Sequence, residues 1–237
     1  MRINVHAGHN PAGKVACGAV GLINESTENR RVKEEVISQL RELGHTVYDC
    51  TCDNGTGQTD VLQKIVAECN AHEVDLDISI HFNSGAGDPA GNDKTTGVEA
   101  YVYSASGAAK PYAEKICQAV SDLGFRTRGV KYSTSLYVLK HTKAPAVLVE
   151  CCFVDDKDDV ELYDYQKMAA AIVYGITGQS VQESQETAPA DPGEETPVGD
   201  PKELYRVQVG AYGVKGNADA MKARLQAAGF DAIIVKA

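Results

Sequence analysis

The chain has 237 residues and a formal net charge of −10 at pH 7. This length allows one sizeable hydrophobic core and a small second unit. The acidic balance argues against nucleic acid as a partner, because phosphate backbones bind positively charged surfaces. No stretch approaches the roughly 18 consecutive apolar residues of a membrane span, so we expect no membrane insertion.

Two further features concern the cellular compartment. Residues 1–6 already contain the first predicted strand and leave no room for the apolar region of a signal peptide, so we expect synthesis in the cytoplasm. The seven cysteines are an odd number and are scattered, which is typical of reduced thiols in a core. Cys50 and Cys52 could bind a metal or form a redox pair, but a single Cys-x-Cys is a weak signal.

Residues 1–178 alternate short apolar runs with segments of helical periodicity. In chain order the pattern predicts strand Ile3–Val5, helix Asn29–Leu43, strand Thr46–Asp49, helix Asp60–His72, strand Leu76–Ile80, strand Val98–Tyr103, helix Pro111–Leu123, strand Ala146–Val149 and helix Tyr165–Ile176. This alternation predicts an α/β domain with a mainly parallel, twisted sheet and helices on both faces. Residues 83–97, rich in Gly, Asp, Asn and Ser, are predicted to form a mobile loop.

The composition changes after residue 178. Residues 179–203 carry seven acidic residues and one lysine with almost no large apolar side chain, which predicts a flexible acidic linker. Residues 204–237 then predict a small β-α-β unit, which is short for an independent core. Two copies could complete a four-stranded unit, so we expect a homodimer formed through residues 204–237.

Side chains that can bind a metal ion or transfer a proton recur near the ends of the predicted strands. His9 follows the first strand and a glycine, His81 directly follows an apolar strand, and Glu150 ends the most apolar strand of the chain. Parallel strands place such residues at one edge of the sheet, where ligands bind. Two histidines, one glutamate and a further glutamate are what a catalytic zinc site needs.

The residues alone leave several assignments open. His9 fits a metal ligand and an ordinary turn histidine equally well, and His6 fits a structural role or a supporting one. Packing explains His81 poorly, and a carboxylate at position 150 is costly unless it is paired or functional. Four glutamates near one helix start, Glu25, Glu28, Glu34 and Glu35, could each supply the ligand or simply complement the helix dipole. Asp155, Asp156, Asp158 and Asp159 are most simply a solvated approach to a helix.

Four motifs in order resemble those of zinc-dependent N-acetylmuramoyl-L-alanine amidases of the amidase-3 type, which include autolysins and phage endolysins. They are Gly8-His9, Glu25 followed four residues later by Asn29, Ser79-Ile80-His81-Phe82-Asn83, and Pro145-Ala146-Val147-Leu148-Val149-Glu150. The first departs from the family pattern Asp-Pro-Gly-His-Gly, since Val5-His6-Ala7 precedes Gly8. The resemblance covers roughly residues 2–177, and it selects Glu25 over Glu28.

The resemblance implies that His9, Glu25 and His81 bind zinc and that Glu150 is catalytic. The implied substrate is bacterial peptidoglycan, cut between N-acetylmuramic acid and L-alanine, with the protein reaching the wall through lysis or a holin. Residues 205–212 and the following helix resemble one half of a sporulation-related (SPOR) wall-binding domain. Three alternatives stay open: a zinc peptidase acting on the stem peptide, a wall-binding protein without catalysis, and a redox protein that uses Cys50 and Cys52.

Overall fold

A six-stranded sheet with helices on both faces forms the first compact unit, Met1–Ser184, of this computed structural model. The structure describes residues 1–181 together with Lys222, Ile233 and Ile234. The strands are β1 (Arg2–Ala7), β2 (Thr46–Asp49), β3 (Leu76–Asn83), β4 (Val98–Val102), β5 (Thr127–Tyr132) and β6 (Ala146–Phe153). The helices are α1 (Glu25–Glu42), α2 (Gln58–Ala71), α3 (Lys110–Ser121), α4 (Tyr137–His141), α5 (Lys157–Leu162) and α6 (Tyr165–Thr177).

The sheet order is β2-β1-β3-β6-β4-β5, and only the β4–β6 pair is antiparallel. The predicted α/β fold with a mainly parallel sheet is therefore confirmed. Each face of the sheet has its own apolar cluster. Helices α1, α3 and α6 supply buried residues to one cluster, and α2 and α4 supply them to the other. Both faces are covered because residues of opposite parity along each strand point to opposite sides.

The helix ends follow from local side-chain chemistry. Asn24 accepts a hydrogen bond from the Thr27 backbone N–H and begins α1, and Asp164 does the same for Gln166 and Lys167 at α6. Gly44 follows α1 with φ +82°, a conformation that glycine adopts without strain. The predicted start of this helix at Asn29 is wrong, since Asn24 caps it one turn earlier.

The sequence analysis missed three elements and cut three strands short, among them β1, which runs from Arg2 to Ala7 and not from Ile3 to Val5. Strand β5 and the short helices α4 and α5 were not predicted. Strands β3 and β6 continue to Asn83 and Phe153, so His81 and Glu150 lie inside strands rather than after them. The predicted linker and the predicted β-α-β unit lie outside the described residues, apart from residues 179–181, Lys222, Ile233 and Ile234.

The connection between β3 and β4 is held by the aspartates that follow β6. Asp155 accepts hydrogen bonds from the backbone N–H groups of Gly85 and Gly87, both at 2.9 Å. Asp156 accepts one from Thr96, and Asp159 accepts one from Gly97. The prediction of a solvated acidic cluster is wrong for Asp156 and Asp159, which are completely buried. We call these two aspartates with Asp155 and Asp158 the aspartate clamp.

Among the helices of the described part, none is both long and apolar enough to cross a membrane.

Candidate active site

Three elements bring His9, Glu25 and His81 together at one edge of the sheet. His9 lies just after β1, Glu25 is the first residue of α1, and His81 lies on β3. The Glu25 Oε1 atom is 2.9 Å from His81 Nδ1 and 3.3 Å from His9 Nε2. One ligand atom from each residue lies within 4.8 Å of the other two. The sequence analysis proposed these three residues as one set, and the fold places them together.

The donor chemistry of this cluster fits zinc. Two imidazole nitrogens and one carboxylate oxygen are common protein ligands of that metal, and three ligands leave a fourth position open. The imidazole rings of His9 and His81 meet edge to face, with centroids 5.0 Å apart. Glu28, the competing glutamate, lies elsewhere: its carboxylate accepts hydrogen bonds from Arg31 and from the Tyr163 hydroxyl, both at 3.2 Å.

Hydrogen bonding keeps Glu25 ionised although the residue is buried. The residue is 3% exposed, and its Oε2 atom accepts a 2.7 Å hydrogen bond from the Ala19 backbone N–H. Burial alone raises the pKa of Glu25, but hydrogen bonds from His81 and His9 outweigh it and hold the pKa well below its usual range. A carboxylate that stays charged at a buried position is suited to bind a cation.

Two glycines make room for the ligand side chains. A Cβ atom at Gly8 would lie 2.0 Å from Cε1 of His81, and one at Gly18 would lie 2.3 Å from Oε2 of Glu25. Neither contact is sterically possible unless the His81 or Glu25 side chain moves away. The Gly8-His9 motif is therefore explained by the close approach of β1 and the His81 ring. Gly18 was not singled out in the sequence, because its role depends on a contact with α1.

The substitution Gly8→Ala should displace the His81 ring and weaken metal binding by about tenfold or more, the range seen when support of a ligand is removed. Gly57→Ala is the matched control, since a Cβ atom there meets nothing within 4 Å and the backbone is extended. Chelator competition with zinc measures both variants. Equal zinc affinity in Gly8→Ala and the unmodified protein would contradict this role.

The backbone of His9 is held in an unusual conformation. Its φ of +62° lies in the left-handed region, which is unfavourable for residues other than glycine. The Arg30 guanidinium donates a 2.9 Å hydrogen bond to the His9 carbonyl and forms a 2.7 Å ion pair with Asp53. The Asn29 amide donates to the Gly8 carbonyl at 3.0 Å. These contacts from α1 fix the turn that presents the His9 ring.

Glu150 lies beside the cluster. It is paired in register with His81 across β3 and β6, so both side chains lie on the same face of the sheet. Its Oε2 atom is buried and has no hydrogen-bond partner among the described residues. Burial, reinforced by the negative charges of Glu25 and Glu99, raises the pKa of Glu150 to about 8. The raised pKa makes the ionised form of Glu150 a stronger base, and a cation bound beside it would favour that form, so Glu150 is suited to accept a proton from water.

The sequence analysis did not identify a further buried carboxylate, which lies next to Glu150. Glu99 on β4 is paired with Glu150 and is 3% exposed. Its carboxylate accepts hydrogen bonds from Asn83 at 2.8 Å, Tyr101 at 2.9 Å and Arg128 at 2.7 Å. Burial raises the pKa of Glu99, yet these donors outweigh it and hold the pKa below its ordinary value. A glutamate inside the apolar strand Val98–Val102 was the available signal.

The remaining candidates lie outside the ligand cluster. His6 is 1% exposed on β1, and burial together with the nearby His81 lowers its pKa to about 3. A neutral, buried imidazole agrees with the structural role that was weighed for it. Cys50 and Cys52 are buried free thiols, and neither belongs to the metal-ligand cluster found within residues 1–181.

Comparison with known proteins extends these findings. The sequence matches the family described as N-acetylmuramoyl-L-alanine amidase over residues 3–178 and the SPOR domain over residues 200–237. An uncharacterised protein of Clostridium perfringens is 40% identical over 167 residues, which cover 69% of this chain and 47% of that protein. The N-acetylmuramoyl-L-alanine amidase CwlM of Bacillus licheniformis is 30% identical over 180 residues, which cover 75% of this chain and 63% of the relative.

The fold is also shared with a solved structure. The catalytic domain of the CD27L endolysin targeting Clostridia difficile superposes with a TM-score of 0.67 at 27% identity, covering 76% of this chain and 99% of that domain. The chain thus spans about half of one curated relative and less than two thirds of the other, but it matches nearly all of this catalytic domain. Because the family match covers most of the chain, this protein belongs to the N-acetylmuramoyl-L-alanine amidase family.

Proposed function

We propose that this chain hydrolyses the amide bond between N-acetylmuramic acid and L-alanine in bacterial peptidoglycan, with a zinc ion held by His9, Glu25 and His81. The observation that carries the proposal is the cluster itself. Three ligand atoms lie within 4.8 Å of one another, next to a glutamate with a buried, unpaired oxygen. When bound at such a site, zinc polarises a carbonyl group and lowers the pKa of a water molecule.

The side chains around the cluster have the following separate roles. Glu150 accepts the proton of the attacking water and returns a proton to the leaving amine, so no covalent intermediate is needed. Glu25 keeps its negative charge and would supply the carboxylate ligand, since Oε1 lies close to one nitrogen of each imidazole ring. Arg30 and Asn29 hold the turn at His9. We also propose that the loop of residues 83–97, whose backbone the aspartate clamp holds, shapes the binding site for glycan or stem peptide.

Mass spectrometry of wall fragments tests this proposal. Digestion of purified peptidoglycan by the zinc-loaded protein should release peptides with a new N-terminal L-alanine. A new terminus inside the stem peptide would instead identify a zinc peptidase. Wall binding without any released fragment, in the zinc-loaded protein, would identify a binding protein with an inactive site.

We also propose that the protein dimerises through residues 204–237, on sequence grounds alone. A full SPOR-type domain contains two β-α-β halves, and residues 204–237 are predicted from sequence to form one such half, so two copies could complete the fold. Light scattering should then give a dimer for the full chain and a monomer for residues 1–178. A monomeric full chain at tens of micromolar would reject the dimer. Access to the wall through lysis or a holin stays a prediction.

A further inference from the structure

Arg128 occupies an irregular position in the edge strand β5. Val98 is paired with Thr127, but the next residue, Glu99, is paired with Gly129, so Arg128 is an extra residue in a β-bulge. Gly129 has φ +74°, as a glycine at a bulge often does. Bulges next to functional sites redirect a side chain out of the regular alternation. Here the bulge determines where the Arg128 guanidinium lies.

The guanidinium is fixed from one side. Its Nε atom donates a 2.7 Å hydrogen bond to Oε2 of the buried Glu99, and its Cζ atom lies 5.0 Å from the Phe153 ring centroid. Within residues 1–181, neither Nη nitrogen of Arg128 donates a hydrogen bond, and 35% of the side chain is exposed. An arginine held through Nε and stacked on an aromatic ring presents its two Nη donors to a planar anion.

The position of Arg128 relative to the reaction centre limits what it could bind. Glu99 lies directly across from Glu150, and β5 is the next strand outward. Strands are about 4.8 Å apart, so the backbone at Arg128 is roughly 10 Å from that at Glu150. An extended peptide advances about 3.3–3.6 Å per residue. A group two or three residues beyond the cleaved bond therefore falls within reach of Arg128.

The negative charge of the domain gives a reason for a positively charged side chain at position 128. Residues 1–178 contain seven more acidic than basic residues, so an anionic substrate approaches a negatively charged domain. Glu25, Glu99 and Glu150 all lie near the site. A carboxylate on the substrate needs a specific positive partner to bind there.

We propose that Arg128 forms a carboxylate subsite that recognises the free α-carboxylate carried by the second residue of the stem peptide. This inference rests on the proposed amidase function. The Nη1 and Nη2 atoms bind the two carboxylate oxygens, while Glu99 and Phe153 fix the plane of the guanidinium. Arg128 is thus a specificity-determining residue, and substrates in which this carboxylate is amidated lose the interaction.

Two matched substrates test the subsite. Both are N-acetylmuramoyl-L-alanyl peptides, one with a free α-carboxylate on the second residue and the other with a carboxamide. The zinc-loaded full chain should cleave the carboxylate form with a kcat/KM about tenfold higher, a size suited to a charge-assisted hydrogen bond. Arg128→Gln should abolish this preference, mainly by lowering kcat/KM for the carboxylate form. Arg128→Lys should retain part of it, since the charge remains.

Arg126→Gln is the matched control, because it removes an exposed positive charge two residues away, before β5 begins. It should leave the preference for the carboxylate substrate unchanged. Equal cleavage of both substrates by the unmodified chain would overturn the subsite and leave the amidase function intact. A preference lost in Arg126→Gln but kept in Arg128→Gln would also overturn it.

Binding separates the subsite from the reaction. Calorimetry in a Glu150→Gln background, which keeps the zinc site but should not turn the peptide over, measures binding of the free-carboxylate peptide. Adding Arg128→Gln to this background should weaken binding about tenfold. If neither substrate is cleaved but this difference is found, the amidase proposal fails and the subsite stands. Without cleavage and without the difference in binding, both are wrong.

Discussion

Replacing His81 with alanine is expected to remove zinc binding and peptidoglycan hydrolysis together. The His81 ring is the centre of the cluster: its Nδ1 atom is 2.9 Å from Glu25, and its ring packs against that of His9. With one ligand gone, a cation would keep two protein ligands from a site built for three. The loss of affinity should exceed the roughly 10–100-fold seen when only a group behind a ligand is removed.

Elemental analysis and chelator competition measure the metal, and release of soluble wall fragments measures the activity. His72→Ala is the matched control, since His72 stacks on Tyr48 with ring centroids 3.9 Å apart, outside the ligand cluster. It should bind zinc and cleave the wall normally. The assignment of ligands is wrong if His81→Ala and His9→Ala both retain a full equivalent of zinc.

The substitution Glu150→Gln should separate metal binding from catalysis. Glutamine keeps the size of the side chain but cannot accept a proton, and Glu150 is not in the ligand cluster. Zinc content should therefore be unchanged while kcat falls by about two to four orders of magnitude, the usual contribution of a positioned general base. Zinc analysis, thermal unfolding and steady-state kinetics on one preparation provide the comparison.

Glu28→Gln is the control for this change. Glu28 is also a mostly buried glutamate, 8% exposed, but its partners are Arg31 and Tyr163. Glu28→Gln should therefore lower the melting temperature of the protein but leave kcat nearly unchanged. Near-normal turnover in a zinc-replete Glu150→Gln protein would show that another group moves the proton.

The sequence predicted the architecture well because apolar runs and helical periodicity alternate so regularly. It did not predict the antiparallel orientation of β4, since the residues of a strand indicate burial and not the direction of the neighbouring chain. Strand β5 was missed for a related reason. Thr127–Tyr132 is mostly exposed and carries two basic residues, so its pattern lacks the apolar face on which strand prediction depends.

The site was predicted as a set of residues, and the structure adds the reasons for their positions. Glu25 could be chosen only through the family motif, because its contact with His81 joins residues far apart in sequence. The N-cap residue Asn24, which makes α1 begin at Glu25, could have been recognised in the sequence but was not used to predict the start of the helix. The role of Arg128 could not be predicted from the sequence, because its position depends on a β-bulge and a bulge is defined only by how two strands pair.

The aspartate clamp has a consequence for how the sequence of the loop between β3 and β4 could change. The acceptors lie in the segment after β6, and the donors are mainly backbone N–H groups of residues 85–97. Every residue except proline offers such a donor. The path of this loop is thus encoded partly outside the loop. Apart from the glycines that need a positive φ, namely Gly85, Gly87, Gly91 and Gly97, its side chains can vary while these backbone hydrogen bonds persist. Substitutions at these variable positions can change the surface that the loop presents without moving strands β3 and β6.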